Sequence, residues 1–124
     1  MKVRGLRGAT TADENTRESL LEATRELLIK MTEENQVDTQ DIAAVFFTTT
    51  PDLDAEFPAL AARKIGWEDV PLIGASEIEV PGAVALCIRV LILMNTEKGQ
   101  RDLSHIYLKG AKNLRARGNE NPAS

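Results

Sequence analysis

The 124-residue sequence is poor in the residues that build metal and redox sites, since it has one cysteine and one histidine. A single cysteine, Cys87, cannot form a disulfide within the chain, and with His105 alone no Cys/His metal cluster can be assembled. We therefore expect neither zinc nor redox chemistry, and no cofactor. Cys87 is expected to be a small core residue.

Long apolar runs and an excess of positive charge are also missing. The N-terminal segment MKVRGLRG lacks a signal-like apolar core, and the longest apolar stretch, residues 84–94, is interrupted by Arg89 and too short to span a bilayer. The formal net charge of -4 argues against a broad basic surface for nucleic acid. These absences predict a cytoplasmic protein with no membrane or nucleic-acid partner.

The composition, 43% hydrophobic and 27% charged, is that of one ordinary globular domain. We place this domain at residues 1–115 and expect the polar residues 116–124 to form a flexible tail. A domain of this size leaves much apolar surface uncovered when it is alone, which favours association of several copies.

Local patterns predict five strands and two helices. The strands are expected at 3–11, 42–49, 70–73, 84–94 and 105–108, the long helix from a cap at Asn15 or Thr16 to Glu34, and the short helix from Pro58 to Ile65. Their order predicts an α/β fold of the α+β type, a mixed five-stranded sheet with helices on one face. Packing of sheet on sheet in a symmetric assembly would cover the other face.

Arg89 stands out because it interrupts an apolar strand, where it shares a face with Cys87, Leu91 and Leu93. An unpaired guanidinium between dry surfaces would be costly, so Arg89 must meet a carboxylate or line a cavity that admits an anion. An ion pair with Glu77 or Glu79 that serves only structure is the competing interpretation.

Arg7 lies between Gly5 and Gly8, and the glycines suggest that something, such as a ligand, approaches this backbone closely. The alternative is an exposed charge on an edge strand. Glu77 could equally be a solvated loop acid after a bend of small residues, and Tyr107 an ordinary strand tyrosine. His105 is interpreted as structural.

Several segments together resemble the small trimeric chorismate mutases, which are distinct from the all-helical ones. The resemblance covers residues 3–115 and is strongest in RGLRGATT, TPDLDAEFPALAAR, VPLIGASEIEVPG and CIRV, followed by the spaced set Asn95, Thr96, Gln100, His105, Tyr107, Leu108, Ala111, Leu114 and Arg115. It implies rearrangement of chorismate to prephenate on the shikimate route to phenylalanine and tyrosine. It also implies a homotrimer, a pseudo-α/β-barrel with active sites between neighbouring subunits.

The resemblance further assigns roles to residues. Arg89 would meet the ether oxygen and a carboxylate of chorismate, Arg7 with Tyr107 would hold the side-chain carboxylate, and Glu77 would bond the ring hydroxyl. The remaining substrate-binding residues would be Ile73, Gly74, Ala75 and Ser76 along the pocket, Phe57, Ala59, Arg63 and Leu72 in its wall, and Leu114 and Arg115 over its mouth.

The sequence departs from the family pattern at three positions. Gly74 stands where relatives often have cysteine or serine, Leu60 where they have a charged residue, and Ala116 where a proline usually follows the arginine. Two other functions stay open at this point: a trimeric imine or enamine deaminase, and a non-catalytic trimer that binds a small anion. The pairing of Arg7 with Arg89 suits a dicarboxylate and favours chorismate.

Overall fold

A computed structural model of the protein describes residues 1–114. Its elements follow in chain order: β1 Lys2–Thr11, α1 Arg17–Asn35, β2 Ile42–Thr49, α2 Ala59–Lys64, β3 Leu72–Ser76, β4 Cys87–Thr96 and β5 Ile106–Tyr107, with 3₁₀ turns at Thr39–Asp41, Gln100–Asp102 and Lys109–Ala111. The expected boundary after Arg115 and the tail lie outside the described residues.

The five strands form one sheet in the order β3-β2-β4-β1-β5. Central β4 runs antiparallel to both β1 and β2, whereas β5 is parallel to β1 and β3 is parallel to β2. The expected mixed five-stranded sheet is confirmed. Strand β3 is reached from β2 by a crossover through α2, whereas β5 follows β4, to which it runs antiparallel, and lies on the far side of β1.

Helix α1 begins after Thr16, whose side chain accepts a hydrogen bond from the backbone N–H of Ser19 at 3.2 Å. It ends at Gln36, which adopts the left-handed conformation with φ 49°. Its buried stripe includes Leu20, Leu27 and Met31, at the helical spacing that the sequence shows. Among the helices of residues 1–114, none combines the length and hydrophobicity needed to cross a membrane.

Both helices pack on the same face of the sheet and share one core with it. The core contains α1 leucines, Ala61 and Ala62 of α2, and the helix-facing side chains of the strands, which include Val45, Phe47 and Ile92. We call the opposite side of the sheet the open face. In the single chain it exposes Phe46 to 41% and Ile73 to 58%.

Phe46 is exposed in the single chain, although the nearly continuous apolar run of β2 is typical of a strand covered on both faces. The single chain covers only the helix side.

Two strand bounds also differ from the prediction. Strand β3 begins at Leu72, so the small residues Gly74 to Ser76 belong to a strand and do not form a bend.

Strand β4 begins at Cys87, three residues later than predicted, and extends through Thr96. Leu86, just before it, has a positive φ of 50°, a conformation that does not continue a strand. Its backbone N–H donates to Asp52 Oδ2 at 2.9 Å, which ties this corner to the loop after β2.

Gly8 is needed for packing, which corrects the expectation that a ligand approaches both glycines of β1. A Cβ placed on Gly8 would lie 2.4 Å from Met31 Sδ and 3.1 Å from Leu27 Cδ1. The close approach at Gly8 is therefore that of α1. A Cβ on Gly5, on the open face, would find Leu91 at an ordinary 3.5 Å.

We predict that Gly8→Ala lowers the free energy of unfolding by about 1–3 kcal/mol, because it overpacks a core in which Met31 is fully buried. Urea denaturation of Gly8→Ala and the matched control Gly5→Ala measures the difference. The control should change stability far less. Equal losses in the two variants would contradict the assignment of the glycines to different faces.

Candidate active site

The strand register brings one row of side chains together across the open face. Ala75, Thr48, Arg89, Ala9 and Tyr107 are successive partners across the five strands, so their side chains lie on the same side of the sheet. Arg89, Leu91 and Leu93 share this face as predicted. Ala9 of β1 lies between Arg89 and Tyr107 in this row. Its small side chain leaves the space between them free.

Arg7 lies on the same face in the adjacent row, where its partners are Leu91 and then Phe46. Arg7 and Arg89 are therefore diagonal neighbours on adjacent antiparallel strands, a relation that separates residues by roughly 7–8 Å. Tyr107, the partner of Ala9, is a diagonal neighbour of Arg7 on the other side of β1. Two guanidinium groups and a phenol thus surround one patch of the open face.

Glu77 reaches the same patch from the end of β3. Its backbone N–H donates to Thr49 O at 2.9 Å, which extends the pairing of β3 with β2, and its Oε1 lies 3.0 Å from Arg89 Nε. The Glu77 side chain is 18% exposed and that of Arg89 50% exposed. Arg89 is therefore paired as expected, but in the single chain it is not shielded from water.

The second carboxylate oxygen of Glu77, Oε2, is buried and has no hydrogen-bond partner among the described residues. A buried acceptor left in this state is costly, because it has lost its water without gaining a donor. A hydroxyl group arriving over the open face could supply that donor.

Cys87 begins strand β4 two residues before Arg89, on the same face by strand alternation, and only 1% of its surface is exposed. Burial raises the pKa of the Cys87 thiol, an effect that Glu77 reinforces and that the neighbouring Arg89 opposes. The thiol is thus kept protonated, in agreement with its interpretation as a core residue. A protonated, buried thiol is a poor nucleophile.

Most of the other expected site residues lie around a cleft on the helix side of the sheet, whereas the side chains of Ile73 and Ala75 lie on the open face. A cleft of about 410 Å³ opens between the ends of β2 and β3 and the segment that leads into α2. Its wall includes Phe57, Gly74, Ala75 and Ser76, and Phe57 is 75% exposed. Ala59 and Arg63 follow on α2, and Leu72 begins β3.

Residues 51–57, which carry Phe57, have no regular structure but are held by side chains. Asn15 donates to Asp54 Oδ1 at 2.8 Å and accepts from the backbone N–H groups of Asp54 and Ala55, both at 3.1 Å. Glu56 pairs with Arg17 at 3.1 Å and accepts from Phe57 N at 2.9 Å. Asn15 therefore orders this loop, while Thr16 caps the helix.

The expected site thus falls into two groups, the open-face residues and the residues around the cleft, with Ala75 at the boundary between them. Arg7, Arg89 and Tyr107 are absent from the lining of the cleft. Leu114 is half-buried at the end of the described chain, and Arg115 lies outside the described residues. Within residues 1–114, no group of three or more His, Cys, Asp or Glu side chains is placed to hold a metal ion.

Two side chains near the site, those of Gln100 and His105, were not among the site residues that the sequence predicted. Gln100 bonds the backbone of Gly5 in both directions, and His105 Nδ1 accepts the backbone N–H of Arg7 at 2.9 Å. Both residues belong to the spaced set that carries the family resemblance, and the predicted last strand is too short to cover all of β1. Chemically, the open face provides two guanidinium groups, one of them paired with Glu77, and a hydroxyl, an arrangement suited to a small organic dianion.

Comparison with known proteins agrees with this chemistry. The family model described as chorismate mutase type I matches residues 3–117. Chorismate mutase AroH of Thermus thermophilus is 51% identical over 114 residues, 91% of this chain and 93% of the relative. The corresponding protein of Bacillus subtilis is 40% identical over 116 residues, 93% of this chain and 91% of the relative.

A solved structure, the chorismate mutase from Clostridium thermocellum, has the same fold with a TM-score of 0.86 and 46% sequence identity. The match covers 87% of this chain and 96% of the other. Fold and family therefore define an isomerase that acts on a small organic acid. The chain belongs to the chorismate mutase type I family, whose reaction converts chorismate to prephenate. The deaminase and anion-binding alternatives are thereby set aside.

We predict that Cys87 in the native protein resists iodoacetamide between neutral and mildly alkaline pH, because burial keeps its thiol protonated and inaccessible. The chain has no other cysteine, so intact mass spectrometry reports this thiol alone. The same protein in urea is the control and should be labelled readily. Comparable labelling rates in the native and unfolded protein would contradict the burial of Cys87.

Proposed function

We propose that chorismate binds on the open face over Arg7, Glu77, Arg89 and Tyr107. The observation that supports this most directly is the diagonal placement of Arg7 and Arg89 on adjacent strands of one face. Chorismate carries two carboxylates, and two guanidinium forks can each bind one of them. Tyr107, beside Arg7, would add a hydrogen bond to the side-chain carboxylate.

In this proposal Glu77 has two tasks. Its Oε1 holds Arg89 at Nε, which sets the plane of the guanidinium before substrate arrives. Its buried Oε2 accepts the hydrogen bond of the ring hydroxyl of chorismate, which satisfies an acceptor that otherwise lacks a partner among the described residues. The structural ion pair and the functional role of Glu77 are therefore compatible.

The reaction is a one-molecule rearrangement in which an ether C–O bond breaks as a C–C bond forms. It needs no proton transfer, so the protein has to position the enolpyruvyl arm and stabilise the charge that separates. Arg7 and Tyr107 would restrain the arm over the ring. Arg89, held by β4 and Glu77, would place positive charge beside the ether oxygen, where negative charge grows in the transition state.

The cleft around Phe57 completes the site only if it comes from another subunit. Its lining includes none of Arg7, Arg89 and Tyr107, and apart from Ala75 the strand residues that line it face the helix side. A neighbouring copy can present its own Phe57, Ala59, Arg63, Leu72 and Gly74 to that patch. Backbone alone would act at Gly74, since no side chain is present there.

Such a contact joins two different surfaces, the cleft of one chain and the open face of the next. Heterologous contacts of this kind close into rings where the rotation between neighbours allows it, and in a three-membered ring each chain contributes to two of three identical sites. The exposed Phe46 and Ile73 would be buried at the centre of that homotrimer. Leu114 and Arg115 would close the mouth of each site.

We predict that Arg89→Ala lowers kcat by at least about a hundred- to a thousandfold, because it removes the fixed charge beside the ether oxygen. The loss of chorismate absorbance measures turnover, and size-exclusion chromatography with light scattering checks that assembly is unchanged. Arg89→Lys should restore little, since a point charge cannot replace the guanidinium fork.

Glu77→Ala should also lower turnover strongly. Either alanine variant with near wild-type kinetics would remove that residue from the site.

A mixing experiment tests whether each site is shared between two chains. Arg89→Ala disables the open face, and Phe57→Glu places a carboxylate against the dianion at a position where exposure lets the fold tolerate it. The two variants, each inactive alone, are unfolded together in equal amounts and refolded. We expect about a quarter of the wild-type activity, since one site in four then pairs an intact Arg89 with an intact Phe57. No recovery from correctly assembled mixtures would place the whole site within one chain.

A further inference from the structure

The outer edge of β1, away from β4, is covered in an unusual way. Strand β5 has two residues and pairs only with Gly8 and Ala9. Farther back along β1 the partners are side chains. Gln100 bonds both the N–H and the carbonyl of Gly5, and His105 Nδ1 accepts the N–H of Arg7 at 2.9 Å. These side chains replace the strand that β5 is too short to provide.

The contact defines the state of the imidazole. A backbone amide can only donate, so Nδ1 of His105 must hold a lone pair and the ring proton must be on Nε2. His105 lies directly before β5, and the pairing of β5 with Gly8 and Ala9 holds its backbone beside β1. The half-buried ring is therefore presented to Arg7 from a fixed position.

The N–H of Arg7 matters because Arg7 stands at the edge that His105 closes. The pairing of β1 with β4 continues on both sides of Arg7. The backbone N–H of Arg7, however, points away from β4 and donates to His105 Nδ1. Without an acceptor, this N–H would be an open edge donor, and the strand could shift locally to reach water. A shift of the Arg7 backbone would also move the Arg7 guanidinium.

We infer that His105 is a positioning residue that fixes Arg7 for the side-chain carboxylate of chorismate. The inference rests on the proposed function of Arg7. His105 acts through the Arg7 backbone, and a displacement of about 1 Å at a binding group can cost up to a hundredfold in rate. Since Arg7 binds a carboxylate that the substrate carries throughout the reaction, the effect falls mainly on KM.

Three substitutions separate the acceptor from the shape of the side chain. Asn has an oxygen one bond from Cγ, where histidine has Nδ1, so His105→Asn keeps an acceptor in reach of Arg7 N–H. His105→Leu has the same shape as His105→Asn without the acceptor, and His105→Gln moves the acceptor one carbon farther. We expect His105→Leu and His105→Gln to raise KM about tenfold with kcat changed less than threefold, and His105→Asn to stay within about threefold of wild type.

Hydrogen exchange of the Arg7 amide, read by NMR, tests the contact itself. Protection should be kept in His105→Asn and lost in His105→Leu and His105→Gln, while the amides of β4 stay protected in all three. Equal protection in His105→Asn and His105→Leu, or equal KM values in these two variants, would overturn the inference.

A double-mutant cycle with Arg7→Ala tests the route of the effect. If His105 acts through Arg7, His105→Leu should change KM little further in the Arg7→Ala background, so the two effects are strongly non-additive. Additive effects would overturn the role of His105 and leave the proposed function of Arg7 intact. Unchanged kinetics in Arg7→Ala alone would overturn the proposed function of Arg7 and the inference with it.

Discussion

The structure depends on one constraint: a five-stranded sheet whose two helices cover only one of its faces. All leucines that α1 buries serve the helix side, whereas Phe46 and Ile73 on the other side remain largely exposed within residues 1–114. An apolar sheet face left in water is unfavourable, so this face favours contact with a further surface. The charged residues of the proposed site lie among these apolar residues, so a surface that covers Phe46 and Ile73 also covers the site.

The sequence predicted the elements whose signal is local. The helical spacing of the α1 leucines and the apolar run of β2 gave bounds that agree with the structure to within a residue or two. Strands β3 and β4 were placed too early because residues 70 and 84–86 are also apolar. Their conformation is decided by distant partners, such as Asp52 at Leu86 N, and the positive φ of Leu86 leaves no trace in hydrophobicity.

The proposed site was only partly accessible from sequence. Arg89 was conspicuous as a charge in an apolar strand, and its ion pair with Glu77 was among the alternatives considered. Period-two alternation predicted the face of Arg89 within β4, but the face of the Phe57 cleft depends on strand order and crossovers that no local pattern encodes. Gly8 was misinterpreted for the same reason, since its neighbour Met31 is remote in sequence.

Half-exposure of Arg89 in the single chain has an energetic consequence. A guanidinium that stays partly hydrated and bonded to Glu77 costs the isolated chain little, whereas full burial of the pair without further partners would be expensive. In the proposed trimer, a neighbouring subunit and the dianionic substrate would remove the remaining water together and replace it with a carboxylate and the ether oxygen. Arg89 then loses its remaining water only in the complex. The low dielectric there strengthens the effect of its charge on the ether oxygen. A fold with an open face is in this way suited to a reaction that needs only positioning and charge.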